Sequence, residues 1–499
     1  MFKKGIISQQ QKPYIFTVKT DNSGTSNNDQ FTFPLVSGGT YNFTAYSSDG
    51  TVFSSNDYTN NTMTFDGGAG TYTVKVYGTL KGWKFANSGD RFKFLNISQW
   101  GIFNHGNENN TFKGCGLLTV TATDLIDLTG ITSFYGFFGN CQSIVTVPRL
   151  GEWVTSAITD IRDMFKFDSS FNDPGVSQWD TSGIQDMRAA LQAENFNQDI
   201  SGWNFESLNA TNRLDDFMLD NTAFSTENYN ALLLALDSQT LFSGMSPNFG
   251  DATYSMEAAT AYYNLVTDDS MTITDGGLEI AGYRAWYDMA DTSTITESSN
   301  LVSAVADKFL NSEDVSQATT KPLTNTDTIN SLNALTFDGT DDYLAKSGFT
   351  AAADTTIFIV FKPISSDSDN DSILSMNATN DFQIDARTSG EYKGRFNSSN
   401  LGDTDKPLLT DQLGNVILTT YRLSSGDSEI AIRLNGTESS TDTYNGALDT
   451  TQNLKLGGNR AGTANLECLL GEVLIFNDDL SASDIAKVET YLNNKWSIY

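Results

Sequence analysis

Asp367, Asp369 and Asp371 alternate along one short stretch of the sequence, and their carboxylates are the hard oxygen ligands that calcium prefers. An EF-hand loop would need a glycine at position 372 and a glutamate at position 378, where this chain has Ser372 and Ala378. A calcium site at the three aspartates is therefore one interpretation, and an acidic hairpin tip is the other. A second acidic turn contains Asp338, Asp341 and Asp342.

Aromatic side chains offer a second kind of chemistry, because the apolar face of a pyranose can stack on a flat ring. In the last two-fifths of the chain the candidates are Tyr392, Tyr421 and Tyr444. Antiparallel sheets also use tyrosine freely as core or surface filler, so each residue has that alternative.

Catalytic patterns are sparse. The single histidine, His105, stands among Asn and Gly residues typical of a turn, and no Ser or Cys motif accompanies it, which predicts a solvent-facing residue. Glycoside hydrolysis needs two positioned carboxylates. Glu429 opens a strand-like run, but Ala431 and Arg433 follow where further acids would be needed. We expect a protein that is not an enzyme, with no catalytic residues.

The composition is acidic and otherwise polar. Acids outnumber bases 61 to 30, which gives a net charge of −31 and argues against nucleic acid as a partner. The three cysteines, Cys115, Cys141 and Cys468, are too few for a disulfide framework and are expected to be small buried hydrophobes.

The charge is uneven along the chain: residues 1–100 carry +3, residues 101–284 carry −17 and residues 285–499 carry −17. The arm Met1–Lys12 holds Lys3, Lys4 and Lys12 and no acid. One hypothesis is that this arm docks on an acidic neighbour within a larger assembly. The alternative is a disordered terminus.

No secretion signal is visible at Met1–Ile7, because the apolar run ends at once in Ser8 and three glutamines. No stretch approaches the ~20 apolar residues of a membrane span. A polar surface without an export signal favours assembly into a virus particle inside the cell, followed by lysis.

A repeat runs from Phe112 to Phe224. Its apolar positions recur at spacings of 26, 27, 25 and 28 residues, with further apolar or small residues three and six positions later. This pattern predicts one helix-like turn per repeat and a stacked solenoid, since each repeat is too small to bury its own face. The aligned first positions are Phe112, Phe138, Phe165, Ala190 and Met218.

The best-preserved repeats contain Asp163-Met164-Phe165, Phe171-Asn172, Trp179-Asp180-Thr181-Ser182 and Phe196-Asn197-Gln198-Asp199-Ile200. They resemble the BspA-type leucine-rich-repeat-like family of bacterial and mycoplasmal surface proteins. The resemblance implies a solenoid, which we expect over residues 81–277. Aromatic residues ahead of the repeats are expected to cap its open end, and the residue patterns at Glu227–Asp237 and Ala258–Val266 predict helices after them.

Two β-rich domains flank this solenoid. Residues 14–80 alternate like short antiparallel strands, and Gly70-Thr71-Tyr72-Thr73-Val74 resembles a strand of PKD-like immunoglobulin-type sandwiches. Residues 285–499 contain Phe337-Asp338-Gly339, a Gly471–Phe476 strand and a closing helix, Ser481–Trp496. These resemble the laminin-G-like branch of the concanavalin-A-like lectins, which implies a jelly roll and glycan binding.

The expected fold class is mainly β and multidomain: a sandwich, a short solenoid and a jelly roll. The leading functional hypothesis is a structural and adhesion protein of a bacteriophage particle, in the form of a decoration, head fibre or tail-fibre-like appendage. Its expected partners are other virion proteins at the N-terminal segment and host-surface glycan, and we expect a homo-oligomer. The alternatives are a bacterial cell-surface adhesin and a carbohydrate-active enzyme.

Overall fold

The computed structural model describes residues 12–365, 371–377, 381–386, 392–397, 413–443, 452–458 and 465–499. Asp367, Asp369, Tyr444 and all of the N-terminal arm except Lys12 lie outside these ranges. The chain is mainly β, with 12% helix and 32% strand. It divides into two compact units, Met1–Glu279 and Ile280–Tyr499, which we call the first unit and the second unit.

The first unit begins as a sheet whose strands alternate between buried and exposed side chains. The described strands and helices of this unit are β1 (Tyr14–Lys19), β2 (Gln30–Thr32), β3 (Thr40–Ser47), β4 (Val52–Ser55), β5 (Thr62–Thr64), β6 (Thr71–Lys81), β7 (Phe94–Gln99), β8 (Phe103–Asn104), β9 (Thr119–Val120), α1 (Thr226–Asp237), β10 (Thr253–Tyr254), α2 (Met256–Thr267) and β11 (Gly277–Leu278).

The principal sheet has the order β4-β3-β6-β1-β7-β9, and β8 also pairs with β6. The β2–β5 pair covers its inner face, where Phe31 and Met63 are buried and the Phe31 ring lies 5.8 Å from that of Phe16. Strands up to β6 pair antiparallel, whereas β7 pairs parallel with β9 and β6 parallel with β8.

The sequence predicted a boundary between residues 80 and 81, but the structure shows no division there. β7 belongs to the predicted solenoid and pairs with β1 of the predicted sandwich. A single cluster of buried side chains continues from Tyr14 to Met271. The sandwich and the solenoid therefore share one hydrophobic core.

The solenoid is built from consecutive three-residue turns. In the Phe165 repeat, Asp168 N donates to Phe165 O at 3.1 Å and Phe171 N donates to Asp168 O at 3.0 Å. Successive repeats are joined by parallel backbone hydrogen bonds, such as Phe165 N to Ala190 O at 3.1 Å. The predicted helix-like turns are present.

The stack continues past the predicted last repeat at Phe224. An isolated parallel bridge joins Asn248 to Thr274, and β10 pairs parallel with β11. Helices α1 and α2 are therefore part of the final two repeats. Ser225 and Ser255 begin them, each accepting a backbone N–H with its side chain.

Asp168 is a buried acid inside the solenoid. Its Oδ1 accepts a hydrogen bond from Cys141 N, while Oδ2 has no hydrogen-bond partner in the described part of the chain. Burial raises the pKa of this carboxyl well above its usual value. At the equivalent position Asn221 donates from Nδ2 to Ala193 O and Phe196 O, both at 2.8 Å.

We expect Asp168→Asn to stabilise the protein by about 1–3 kcal/mol at pH 7, because the amide is neutral and can donate as Asn221 does. The folded-state pKa of Asp168 lies above its unfolded value, so the wild type loses stability as pH rises from the unfolded pKa to the folded one. The variant escapes that loss. Denaturant unfolding at a series of pH values from 4 to 7 measures it, with the exposed Asp199→Asn as control. A difference between wild type and variant that does not change with pH contradicts this assignment.

The second unit is a two-sheet sandwich closed by a helix. Its described elements are β12 (Tyr283–Asp288), β13 (Ile295–Ser298), β14 (Leu301–Val305), β15 (Val315–Ser316), β16 (Thr328–Ile329), β17 (Leu332–Asn333), β18 (Leu335–Asp338), β19 (Leu344–Phe349), β20 (Thr355–Ser365), β21 (Asp371–Asn377), β22 (Asp381–Ala386), β23 (Tyr392–Asn397), β24 (Ile417–Ser424), β25 (Glu429–Leu434), β26 (Thr437–Thr443), β27 (Gln452–Leu456), β28 (Glu467–Phe476) and α3 (Ala482–Trp496).

One sheet has the order β12-β28-β20-β24-β25-β26, with β18 also paired to β28, and the other has the order β13-β14-β15-β19-β27-β21-β22-β23. Apolar side chains from both sheets form the core, among them Ile359 and Val473 from the first and Leu344 and Leu454 from the second. Ser481 accepts Asp484 N at the start of α3, as its sequence pattern predicted.

Glu472 is fully buried and lies at the centre of a polar network where β12, β28 and α3 meet. Its carboxylate accepts hydrogen bonds from Trp286 Nε1 and Trp496 Nε1, both at 2.6 Å, and from the Tyr491 hydroxyl at 3.1 Å. Lys495 Nζ lies 2.9 Å from the same carboxylate. Each oxygen of this buried acid therefore has partners.

The network extends through Asp288, which is also buried. Its carboxylate lies 2.6 Å from Lys495 Nζ and 3.2 Å from Lys308 Nζ. Lys308 in turn lies 2.7 Å from Asp291 and 4.6 Å from the centre of the Trp286 ring. Burial alone would lower the pKa of Lys495, but the neighbouring carboxylates outweigh it and raise that pKa. This network fastens the last helix to the sheet.

No helix within the described ranges is both long enough and apolar enough to cross a membrane.

Candidate functional site

The predicted calcium triplet falls mostly beyond what the structure describes. Asp367 and Asp369 lie outside the described residues. Asp371 opens β21, where it pairs with Ala386 and is only 2% exposed. Asp371 is thus a buried strand residue, and the structure leaves the triplet a prediction.

The three predicted sugar-stacking tyrosines have different outcomes. Tyr421 is fully buried in the core between the two sheets, so the prediction that it stacks on a sugar is wrong. Tyr392 begins β23 and pairs with Ala386, but its side chain, like all of Tyr444, lies outside what the structure describes.

His105 is buried, contrary to the prediction of a solvent-facing residue. Its ring lies 5.1 Å from that of Phe137, and Nδ1 is 3.3 Å from both Glu108 O and Thr111 Oγ1. Burial lowers its pKa to about 4, so the imidazole is neutral at physiological pH. We therefore assign His105 to the solenoid core.

The second acidic turn, at Asp338, Asp341 and Asp342, brings three carboxylates close enough to share one metal ion. It is the group of this kind found among the described residues. Oxygens of Asp338, Asp341 and Asp342 lie within 4.8 Å of one another. The turn is held by Asp338 Oδ1, which accepts Thr340 N at 2.8 Å, and by Asp342 Oδ2, which accepts Asp338 N at 3.2 Å. Burial raises the pKa of Asp342 to about 6, and the charges of the other two aspartates act in the same direction.

A buried amide lies against this turn. Asn465 is 2% exposed and donates from Nδ2 to Thr340 O at 3.1 Å, while its Oδ1 has no hydrogen-bond partner among the described residues. Carboxylates, a carbonyl and an amide oxygen are the donor types that calcium uses, so the residues present fit the ion.

We expect millimolar calcium to raise the melting temperature of the full chain, because a divalent cation would offset repulsion among three close carboxylates. Differential scanning calorimetry with calcium and with a chelator measures the shift. The Asp338→Asn/Asp342→Asn variant should lose it, whereas Asp478→Asn, an acid elsewhere in the second unit, should retain it. Equal melting temperatures with and without calcium would show that the turn is only a polar surface feature.

The solenoid carries a row of alternating charges. Arg162 makes a two-pronged contact with Asp160, at 3.0 and 2.7 Å, and also reaches Asp186 at 3.4 Å. Arg188 and Arg213 each lie 2.8 Å from the same Asp186 carboxylate. The sequence already contained a pattern that could have predicted this row: Asp-x-Arg occurs at positions 160–162 and again 26 residues later at 186–188.

Two shallow polar grooves border this row. One of about 280 Å³ includes Tyr135, whose ring lies 4.5 Å from the Arg162 guanidinium, together with Lys166 and Asp215. A neighbouring groove of about 330 Å³ includes Asn248. Most charged groups in this row form ion pairs with one another. We therefore assign the row to holding neighbouring repeats together, and it gives little support for ligand binding.

Two parts of the chain match known protein families. Residues 132–231 match a family described as Mycoplasma protein of unknown function, DUF285, in agreement with the BspA-like surface repeat. Residues 338–486 match the concanavalin A-like lectin/glucanases superfamily. The second unit therefore contains a concanavalin A-like lectin domain, and the predicted fusion of these two regions is confirmed. No curated protein matches the sequence.

Solved structures with a similar arrangement are distant. Domain 4 of the extracellular arabinanase AbnA from Geobacillus stearothermophilus is 14% identical, with a TM-score of 0.33, 42% of this chain covered and 100% of that one. The Trypanosoma rangeli sialidase is 12% identical, with a TM-score of 0.33, 44% of this chain covered and 34% of that one. Likenesses of this size carry no argument about activity.

Proposed function

We propose that this chain is a surface-displayed, non-enzymatic adhesion protein whose second unit binds glycans. The observation that carries the proposal is the concanavalin A-like domain at residues 338–486. The BspA-like surface repeat supports display at an outer surface. A stack joined by backbone hydrogen bonds is suited to serve as a stiff spacer.

The buried carboxylates of the second unit support a role without catalysis. Glu472 is held by two indoles and a lysine, and Glu489 accepts hydrogen bonds from Arg433 and Thr420. Asp307 accepts the backbone N–H groups of Trp286 and Phe309, at 2.9 and 3.0 Å. Acids engaged in this way maintain the fold, whereas a general acid or base must be free to reach a substrate.

The narrower proposal is an appendage of a bacteriophage particle that docks through the basic arm Met1–Lys12. Its support is the charge asymmetry of the sequence, with +3 in residues 1–100 and −17 in each later segment. Mass spectrometry of purified particles tests it, and absence of the chain from every particle would overturn it. A bacterial cell-surface adhesin is the competing assignment, for which cell fractionation would find the chain on the envelope.

A glycan array probed with the full chain, followed by photo-crosslinking of the best ligand, tests glycan binding. We expect crosslinked peptides within residues 338–486. Crosslinks confined to the first unit, or no bound glycan, would overturn the assignment to the lectin domain. Release of shortened oligosaccharides from the bound polysaccharide would instead revive a carbohydrate-active enzyme.

A further inference from the structure

The outer face of the principal sheet of the first unit carries an aromatic pair that the core does not use. On β3 and β6 the inward side chains are buried, while Tyr46 and Tyr77 point outward and remain 47% and 40% exposed. Their strands are neighbours, with Tyr46 opposite Lys75 and Thr44 opposite Tyr77. Two outward tyrosines therefore lie diagonally across one strand pair.

The two rings form a corner. Their centres are 5.9 Å apart and their planes meet at 77°. Neither hydroxyl has a hydrogen-bond partner among the described residues. Because the two tyrosine rings stand nearly at right angles, one of them can pack against the face of a bound ligand ring while the other contacts the edge of that ligand.

Polar groups surround this corner in a shallow groove of about 610 Å³, within the size range of small-molecule sites. From β3, Asn42 offers an amide and Thr44 offers a hydroxyl that also bonds Ser54 Oγ at 2.9 Å, and Lys75 offers an ammonium from β6. Lys75 forms no ion pair with any described residue, although the chain carries a net charge of −31. The cation in the groove is therefore available to an external anion.

Gly78 also lines the groove, and its position requires glycine. Its φ is 110°, and a Cβ there would lie 2.3 Å from Asn42 O, so no larger residue fits without moving β3. Gly78 therefore allows β3 and β6 to approach closely beside Tyr77.

We propose that this groove is a binding site for a pyranoside that carries a carboxylate, such as a uronic-acid sugar. The apolar face of the sugar stacks on one tyrosine and its rim meets the other. Lys75 pairs with the carboxylate, and Asn42 and Thr44 bond ring hydroxyls. The assignment does not depend on glycan binding by residues 338–486, because its residues all belong to the first unit.

Isothermal titration of the full chain with two tetrasaccharides tests the site. Hyaluronan tetrasaccharide carries uronic acids, and N-acetylchitotetraose is a neutral oligosaccharide of equal length. We expect the wild type to bind the acidic sugar more tightly, and Tyr46→Ala and Tyr77→Ala each to weaken that binding about tenfold or more. Tyr58→Ala is the matched control, since Tyr58 is 44% exposed but lies outside the groove, and it should bind like the wild type.

Lys75→Gln tests the contribution of the lysine charge to affinity, because it leaves both stacking tyrosines in place. It should reduce affinity for the acidic tetrasaccharide to the level of the neutral one and leave the neutral one unchanged. Three results would each overturn the proposal: no binding of the acidic tetrasaccharide by the wild type, unchanged affinity and stoichiometry in the Tyr46→Ala/Tyr77→Ala variant, or an equal loss in Tyr58→Ala. A glycan site within residues 338–486 would contribute equally to the wild type and to these variants. Thermal melting of each variant confirms that the fold is retained.

Discussion

Glu472→Ala is expected to lower the free energy of unfolding of the second unit by about 3–5 kcal/mol, because it removes one member of a buried charge network. The Lys495 ammonium and the indole N–H groups of Trp286 and Trp496 would lose an acceptor within hydrogen-bond reach. Hydrogen exchange of the α3 amides reports this change directly, because the network fastens that helix to the sheet.

Two further variants show whether the charge network is responsible. Glu472→Gln keeps an acceptor for only one of the two indoles, which donate to different oxygens, and removes the charge opposite Lys495, so it should fall between wild type and alanine. Glu438→Ala removes an exposed acid from β26 and should change stability by less than about 0.5 kcal/mol. Equal protection of α3 in Glu472→Ala and Glu438→Ala would contradict the role assigned to the network.

Phe171→Ala is expected to destabilise the first unit by about 3–5 kcal/mol, because it opens a cavity in the aromatic column of the solenoid. The Phe171 ring is fully buried, with its centre 3.7 Å from that of Phe165 and 6.1 Å from that of Phe196 in the next repeat. Denaturant unfolding followed by exchange of the repeat amides measures the loss.

The same repeat provides the matched control. Phe167 is 52% exposed, four positions before Phe171, and Phe167→Ala should cost less than about 1 kcal/mol. If the two alanine variants unfold at the same denaturant concentration, the stacked column is not what holds the repeats together.

Features of the fold could be predicted from the sequence where residues recur at a fixed spacing or where a short motif marks the end of an element. Apolar positions in a solenoid must recur at the period of the stack, so Phe112, Phe138 and Phe165 can be aligned by their spacing alone. Ser481 and Asp484 mark the start of α3 through a capping pattern that spans three residues.

The features that the sequence did not reveal depend on pairing between strands far apart in the chain, or on what packs around a side chain in the folded protein. The pairing of β1 with β7 joins residues about 80 positions apart and leaves no local mark, so the sandwich and solenoid were predicted as separate domains. Tyr421 lies on β24, where side chains on both faces are buried, so alternation could not reveal its burial. His105 follows Asn104, which looks like a surface turn residue but donates to Asp127 O and Thr129 O in the next repeat.

The stacked repeats of the first unit would allow its length to change in discrete steps. Neighbouring repeats are joined by parallel backbone pairing. Examples are the β7–β9 pair and the bridges between Asp160 and Asp186 and between Asn248 and Thr274. Inserting or deleting one repeat would shift everything beyond it by about one strand spacing, ~4.8 Å, without altering the contacts at either end. The number of repeats therefore sets the length of the solenoid.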